Sequence, residues 1–220
     1  MRGVFDIIGP IMIGPSSSHT AGAARIGLMA RKILGEEPLQ ATIELHGSFA
    51  QTYKGHGTDK AIIAGIMGFA TDDERIKDAL SIAVSSGLKY QINTTDLGAV
   101  HPNTAVIYLI GKAGRMTRIV GASVGGGNIL ITNIDGYDVE LTGQYHTLIS
   151  IHHDRPGVIT KVTSILSKYK INIAFMRVSR KSRGAEALMI IEVDEQISDD
   201  VLEETKQVRG VANSFRIPPI

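Results

Sequence analysis

The 220-residue sequence contains no cysteine. That excludes a disulfide framework, a thiol nucleophile, a Cys-ligated zinc site and an iron–sulfur cluster held by this chain alone. It also has no excess of either charge: 23 Lys and Arg face 22 Asp and Glu, with no polybasic stretch. Nucleic acid and anionic membrane surfaces are therefore not expected partners. No apolar run approaches the roughly 18 residues of a membrane span. The N-terminal segment has Asp6, two prolines and no small-residue cleavage pattern, so a signal peptide is not expected. These absences lead us to expect a cytoplasmic protein. There is no G-x-x-x-x-G-K-[ST] loop, no G-x-G-x-x-G after a strand, no H-E-x-x-H and no G-x-S-x-G elbow. The last absence leaves a hydrolytic triad from Ser17, His56 and Asp59 with little support. His152 and His153 are adjacent and would point to opposite faces of a strand, which disfavours a two-His metal site there.

What is present is a composition that can fold: 43% hydrophobic and 20% charged. Ile26, Met29, Ala30, Ile33 and Leu34 recur at helical spacing, with Gly35 as a stop. Thr42 to His46 alternates like a strand. Gly47 to Gly57 reads as a glycine-punctuated loop, after which Thr58 or Asp59 caps a helix carrying Ile62, Ile63, Ile66 and Met67. Thr71 and Glu74 have the spacing of a capping box before a helix carrying Ile76, Ala79, Leu80, Ala83 and Val84. From Lys89 the period becomes two, which predicts strands near 89–94, 104–110, 115–122, 128–134 and 137–141. Thr142-Gly143-Gln144 is a plausible boundary. Beyond it the pattern restarts as βαββαβ, the ferredoxin-like order. The expected fold class is α+β, with domains at 1–143 and 146–220.

Polar loops carry the candidate chemistry. Gly14-Pro15-Ser16-Ser17-Ser18-His19-Thr20 runs directly into a helix, where hydroxyls, backbone N–H groups and the helix dipole suit a carboxylate or phosphate. A simple helix cap is the plain alternative, but three serines and a histidine exceed what one cap needs. In Lys54-Gly55-His56-Gly57-Thr58-Asp59, flanking glycines leave His56 uncrowded, and histidine exchanges protons near neutral pH. An exposed loop histidine would look the same. His101-Pro102-Asn103-Thr104 and Ser123-Val124-Gly125-Gly126-Gly127-Asn128 are two further polar loops, each also explicable as a turn. Asp154-Arg155-Pro156-Gly157 makes a sharp entry into a helix in the second domain.

Taken together, FDIIGPIMIGPSSSHT, GSFAQTYKGHGTD, HPNTA and SVGGGN resemble the β subunit of iron–sulfur-dependent L-serine dehydratases over about residues 1–143. HDRPGVITKVTSILSKYKINIAFMRVSR resembles an ACT domain, an amino-acid-sensing module, over about 146–220. The resemblance implies conversion of L-serine to pyruvate and ammonia without pyridoxal phosphate. It implies a [4Fe–4S] cluster whose ligands lie in a cysteine-bearing α subunit, with none in this chain. A monovalent cation is a second cofactor left open. By motif match His56 is the expected base, with His19 the other catalytic candidate. Ser16, Ser17, Ser18 and Thr20 would bind substrate, with Lys54, Thr58 and Asp59 shaping the His56 loop. In the ACT segment, His152 and Asn172 match the serine-binding pattern, Asp154 stands where that pattern has Asn, and Gly157 completes an effector set. L-serine or another small amino acid is the expected effector, and self-association through an exposed edge strand is expected. The first domain also resembles the substrate-responsive domain of some phosphoglycerate dehydrogenases, a regulatory role. The alternative is thus a stand-alone amino-acid sensor with no catalytic part.

Overall fold

A computed structural model describes residues 11–220; the Phe5 to Pro10 part of the first motif lies outside the described residues. The chain divides into two compact units, Met1–Asp135 and Gly136–Ile220.

In the first unit a π-helical turn, Ser17–Gly22, runs into α1, Ala23–Leu34. The five apolar residues at helical spacing are all buried, and Gly35 ends the helix at φ +73°. Next come β1 (Pro38–Leu45), α2 (Gly47–His56), α3 (Thr58–Ile66), a 3-10 turn (Glu74–Asp78), α4 (Ala79–Ser85), β2 (Lys89–Thr94), β3 (Thr104–Gly111), β4 (Met116–Gly125) and β5 (Asn128–Ile134). These strands lie in the order β2-β1-β3-β4-β5. β1 and β2 are parallel because the helical crossover α2–α4 separates them, and the later strands pair antiparallel.

Two glycines set the helical layer. A Cβ on Gly27 of α1 would lie 2.3 Å from the Ile62 carbonyl oxygen, and one on Gly65 of α3 would lie 2.0 Å from that of Ala24. The two helices therefore cross backbone to backbone. Ile26, Ile62 and Ile66 are fully buried. Each contributes about 1.5–3 kcal/mol by leaving water.

Two local expectations are corrected. The glycine-punctuated 47–57 segment is the helix α2, not a loop. Its only buried side chain is Phe49, so little apolar periodicity marks it, and its two glycine breaks lie at its ends. Thr71 and Glu74 do not form a capping box. The Thr71 hydroxyl donates to the Ile11 carbonyl, and Asp73 caps the 3-10 turn by accepting the Arg75 N–H.

The second unit comprises β6 (Tyr137–Leu141), β7 (His146–His153), α5 (Val158–Lys168), β8 (Ile173–Arg180), β9 (Glu186–Val193), α6 (Asp199–Lys206) and β10 (Val211–Ile217). Its four-stranded sheet has the order β10-β7-β9-β8 with every pairing antiparallel, the ferredoxin-like arrangement. Leu148, Met189, Ile191 and Val193 of the sheet meet Val162, Leu166 and Val201 of the two helices in one core. The unit begins ahead of Thr142-Gly143-Gln144 because β6 packs on β8: Arg177 pairs with Glu140, and the Ser179 hydroxyl donates to the Asp138 carbonyl.

Candidate active site

The first polar loop is wound into the π-helical turn. The Ser16 hydroxyl accepts the His19 N–H at 3.1 Å, and the Thr20 N–H donates to the Ser16 carbonyl at 2.9 Å. A Cβ at Gly22 would lie 2.1 Å from Ser123 Oγ, so only glycine lets the turn press on β4. π-Turns recur at functional sites. This one holds His19 inward. His19 Nε2 lies 3.0 Å from Ser48 Oγ, and Nδ1 lies 3.4 Å from Ser16 Oγ. The ring meets Phe49 edge-on at 5.3 Å and His56 edge-on at 4.9 Å. Burial, and then the neighbouring His56, hold the His19 pKa below the ordinary 6.5.

His56 is the last residue of α2. Gly57 follows at φ +69°, which only glycine adopts freely, and starts α3 at Thr58. The His56 carbonyl accepts the Thr20 hydroxyl at 3.4 Å. His56 Nδ1 and Thr58 Oγ1 are both buried with no hydrogen-bond partner in the protein. At its other end α2 is seated on the third polar loop. Gly47 has φ +56°, a Cβ there would lie 2.6 Å from the Pro102 oxygen, and that oxygen accepts the Phe49 N–H at 3.4 Å. The next residue of the loop, Asn103, accepts the Ser123 N–H on its carbonyl at 3.0 Å. Asn103 Oδ1 and Ser123 Oγ are likewise buried and unpartnered. The Arg25 guanidinium donates to the Gly127 carbonyl at 3.0 Å. The four motifs, scattered over 115 residues of sequence from Gly14 to Asn128, are therefore linked by direct contacts around one helical turn.

The candidate residues fare differently within this arrangement. His19 and His56 come together. Ser17 and Ser18 are half-buried in the turn, and Ser16 is its cap. Thr20 and Thr58 are buried beneath it. Lys54 is exposed with Nζ 5.7 Å from the Tyr53 ring centroid, and Asp59 accepts the Lys60 N–H. Ser48, Phe49, Asn103 and Ser123 also belong to the site, although none was assigned a role from the sequence. Their one signal was membership of the quoted motifs.

The proposed effector residues of the second unit do not meet within the chain. His152 is buried and its Nδ1–H donates to the His153 carbonyl at 2.9 Å, leaving Nε2 unpartnered. Asp154 accepts the Arg180 guanidinium at 2.6 Å and the Gly184 N–H at 3.0 Å. Gly157 enters α5 at φ +90°. Asn172 donates to Asp194 at 2.7 Å and its N–H to Glu195. β9 pairs with His153 at Glu186 and with Ile173 at Val193. Asn172 thus lies at the far end of that strand from Asp154, about 24 Å away along it. On the edge strand β8, Phe175 and Met176 are exposed. Among the described residues no cluster of His, Cys, Asp or Glu could hold a metal ion, and no helix is long and apolar enough to cross a membrane.

Comparison with known proteins bears on the whole chain. The family described as Serine dehydratase beta chain matches residues 3–96, and the ACT domain matches residues 146–210. The chain is 47% identical to a probable L-serine dehydratase beta chain of Bacillus subtilis over 216 residues, 98% of each chain. It is 39% identical to the L-serine dehydratase beta chain of Peptoniphilus asaccharolyticus over 198 residues, 90% of this chain and 89% of that one. A D-3-phosphoglycerate dehydrogenase of Synechocystis is 27% identical over 199 residues, which cover 89% of this chain and 35% of that protein.

Proposed function

The chain belongs to the family of L-serine dehydratase beta chains, and we propose that it is one subunit of an L-serine ammonia-lyase. In this reading it pairs with a cysteine-bearing alpha chain to convert L-serine to pyruvate and ammonia. The reaction removes the Cα proton and the β-hydroxyl, which leaves as water. The enamine so formed rearranges to an imine, and hydrolysis with one water releases ammonia and pyruvate.

The observation that carries the assignment is His56. Its ring stands 4.9 Å from that of His19 where the four motifs meet, and its Nδ1 is buried without a partner. A histidine so placed can take up the Cα proton. Ser17 and Ser18, in the turn beside it, supply hydroxyls for the substrate carboxylate. Thr20, buried, holds the His56 backbone through its hydroxyl, and Thr58, buried beside it, keeps its own hydroxyl unpartnered.

A [4Fe–4S] cluster, held by thiolates, would act as the Lewis acid on the departing hydroxyl. The residues of this chain do not fit it: there is no cysteine to bind iron. We therefore assign its ligands to the alpha chain. The ACT unit would adjust activity in response to a small amino acid.

The test is to co-express this chain with the alpha chain, reconstitute the complex anaerobically and measure pyruvate from L-serine. Turnover should require both chains. Equal activity without this chain would sink the subunit reading and leave a sensor role.

A further inference from the structure

Both ring nitrogens of His19 meet serine hydroxyls, Nε2 with Ser48 at 3.0 Å and Nδ1 with Ser16 at 3.4 Å. A neutral imidazole has one N–H and one lone pair, so one hydroxyl must donate to it and the other accept from it. Ser16 Oγ already accepts the His19 backbone N–H at 3.1 Å. A hydroxyl oxygen can accept twice, so Ser16 is able to take a second N–H from Nδ1; the arrangement that gives each serine oxygen one N–H instead has Ser16 donate to Nδ1 and Nε2–H donate to Ser48 across the shorter contact. Charging the ring would put an N–H on Nδ1 as well as on Nε2, so Ser16 would have to turn its hydrogen away and accept two N–H bonds. Burial and the His56 ring oppose that charge as well.

Ser48 stands on a fixed stretch of backbone. It is the second residue of α2, next to the Gly47 turn on the Pro102 carbonyl, and its own carbonyl accepts the Thr52 hydroxyl at 2.8 Å. Phe49, fully buried, closes the adjacent edge of the His19 ring. The third polar loop thus reaches the histidines through the start of α2.

We propose that Ser48 is a positioning residue that locks His19 as the neutral Nε2–H tautomer, leaving His56 as the histidine that takes up a proton. This rests on the reading of His56 as the base. Two imidazolium rings 4.9 Å apart would repel, so a neutral His19 lets His56 accept the substrate proton.

The tautomer can be read without turnover. Two-bond proton–nitrogen NMR on the ¹⁵N-labelled full chain would report both His19 nitrogens, identified by their loss in His19→Gln. Wild type should show protonated Nε2 and lone-pair Nδ1, and remain neutral at pH 6.5. Ser48→Ala should give mixed tautomers, and Ser48→Thr should restore the wild-type pattern. In the complex with the alpha chain, Ser48→Ala should lower kcat about tenfold to a hundredfold with KM little changed, and Ser48→Thr should recover most of it. A protonated Nδ1 or mixed tautomers in wild type would overturn the proposal, as would an unchanged His19 in Ser48→Ala. The wild-type spectrum decides the assignment even if Ser48→Ala does not fold. Failure of the dehydratase reading would instead show as absent pyruvate, with the tautomer still measurable.

Discussion

In the first unit, His56 Nδ1, Thr58 Oγ1, Asn103 Oδ1 and Ser123 Oγ are buried without partners, whereas in the second unit Asp154 and Asn172 spend their side chains on Arg180, Gly184 and Asp194. An unmet buried polar group costs about 1–3 kcal/mol. Four of them on one set of touching motifs call for a partner that a bound ligand or an ordered water would supply. The second unit has a single comparable atom among its candidate residues, His152 Nε2. Asp154 and Asn172 bond within the unit, and they lie at opposite ends of β9 in the same chain. The same kinds of residue thus stand differently: one unit leaves buried polar groups unpartnered, and the other pairs its candidates within itself.

The largest expected effect separates the two directly. His56→Ala should lower kcat of the reconstituted complex by about 10² to 10⁴, the usual worth of a general base, with an unchanged circular dichroism spectrum. Near-normal turnover would remove His56 from the chemistry and erase the contrast. Next in size is Gly65→Ala. The new methyl would meet the Ala24 carbonyl and the Leu28 backbone nitrogen, neither able to swing away. Overpacking of this kind costs about 1–3 kcal/mol, read as a lower urea midpoint for the first unit. An unshifted midpoint would mean that α1 and α3 do not cross as closely as the Gly65–Ala24 approach requires.

Smaller effects test the second unit. Glu192, 4% exposed, accepts the Thr142 hydroxyl at 3.2 Å, and burial pushes its carboxyl pKa above the ordinary 4.5 despite that bond. A raised folded-state pKa favours folding below 4.5, and that contribution is lost as pH rises through the folded value. Glu192→Gln should therefore raise the melting temperature at pH 7 by a few degrees and leave it nearly unchanged at pH 4. An equal gain at both pH values would show that ionisation is not responsible. The smallest change is expected for Asp154→Asn. The Gly184 N–H, and then Arg180, hold the Asp154 carboxyl below the ordinary 3.8, so its contribution is present above that value and fades as pH falls below it. Melts of wild type and variant should differ slightly at pH 6 and converge in acid. A large loss at pH 6 would show that this exposed pair carries more of the second unit than its surroundings suggest.

Much of the fold was legible in the sequence because the signals are local. α1 declared itself by five apolar residues on one face, and the strands from Lys89 onward by a period of two. α2 was hidden: Gly47, Gly55 and Gly57 read as loop, and only Phe49 of its ten residues is buried. Its helical form comes from what it is seated on, the Pro102 carbonyl at one end and the π-turn at the other. The site was legible to the same degree. His19 and His56 stood out through their flanking serines and glycines. Ser48 did not, because nothing around it in sequence distinguishes it from an ordinary helix-start serine, and Ser123 was marked only as the first residue of a glycine-rich loop.

By itself the sequence determined the order of elements apart from α2, the ferredoxin-like second unit and the lack of any thiolate, since periodicity and composition need no neighbour to be read. The tertiary structure alone decided which polar atoms share a site. The contacts of His19 with Ser48 and His56, and of Gly22 with Ser123, span 29 to 101 residues of sequence. Helix crossing and strand pairing bring such residues together, and no local pattern encodes a distance across a packed interior.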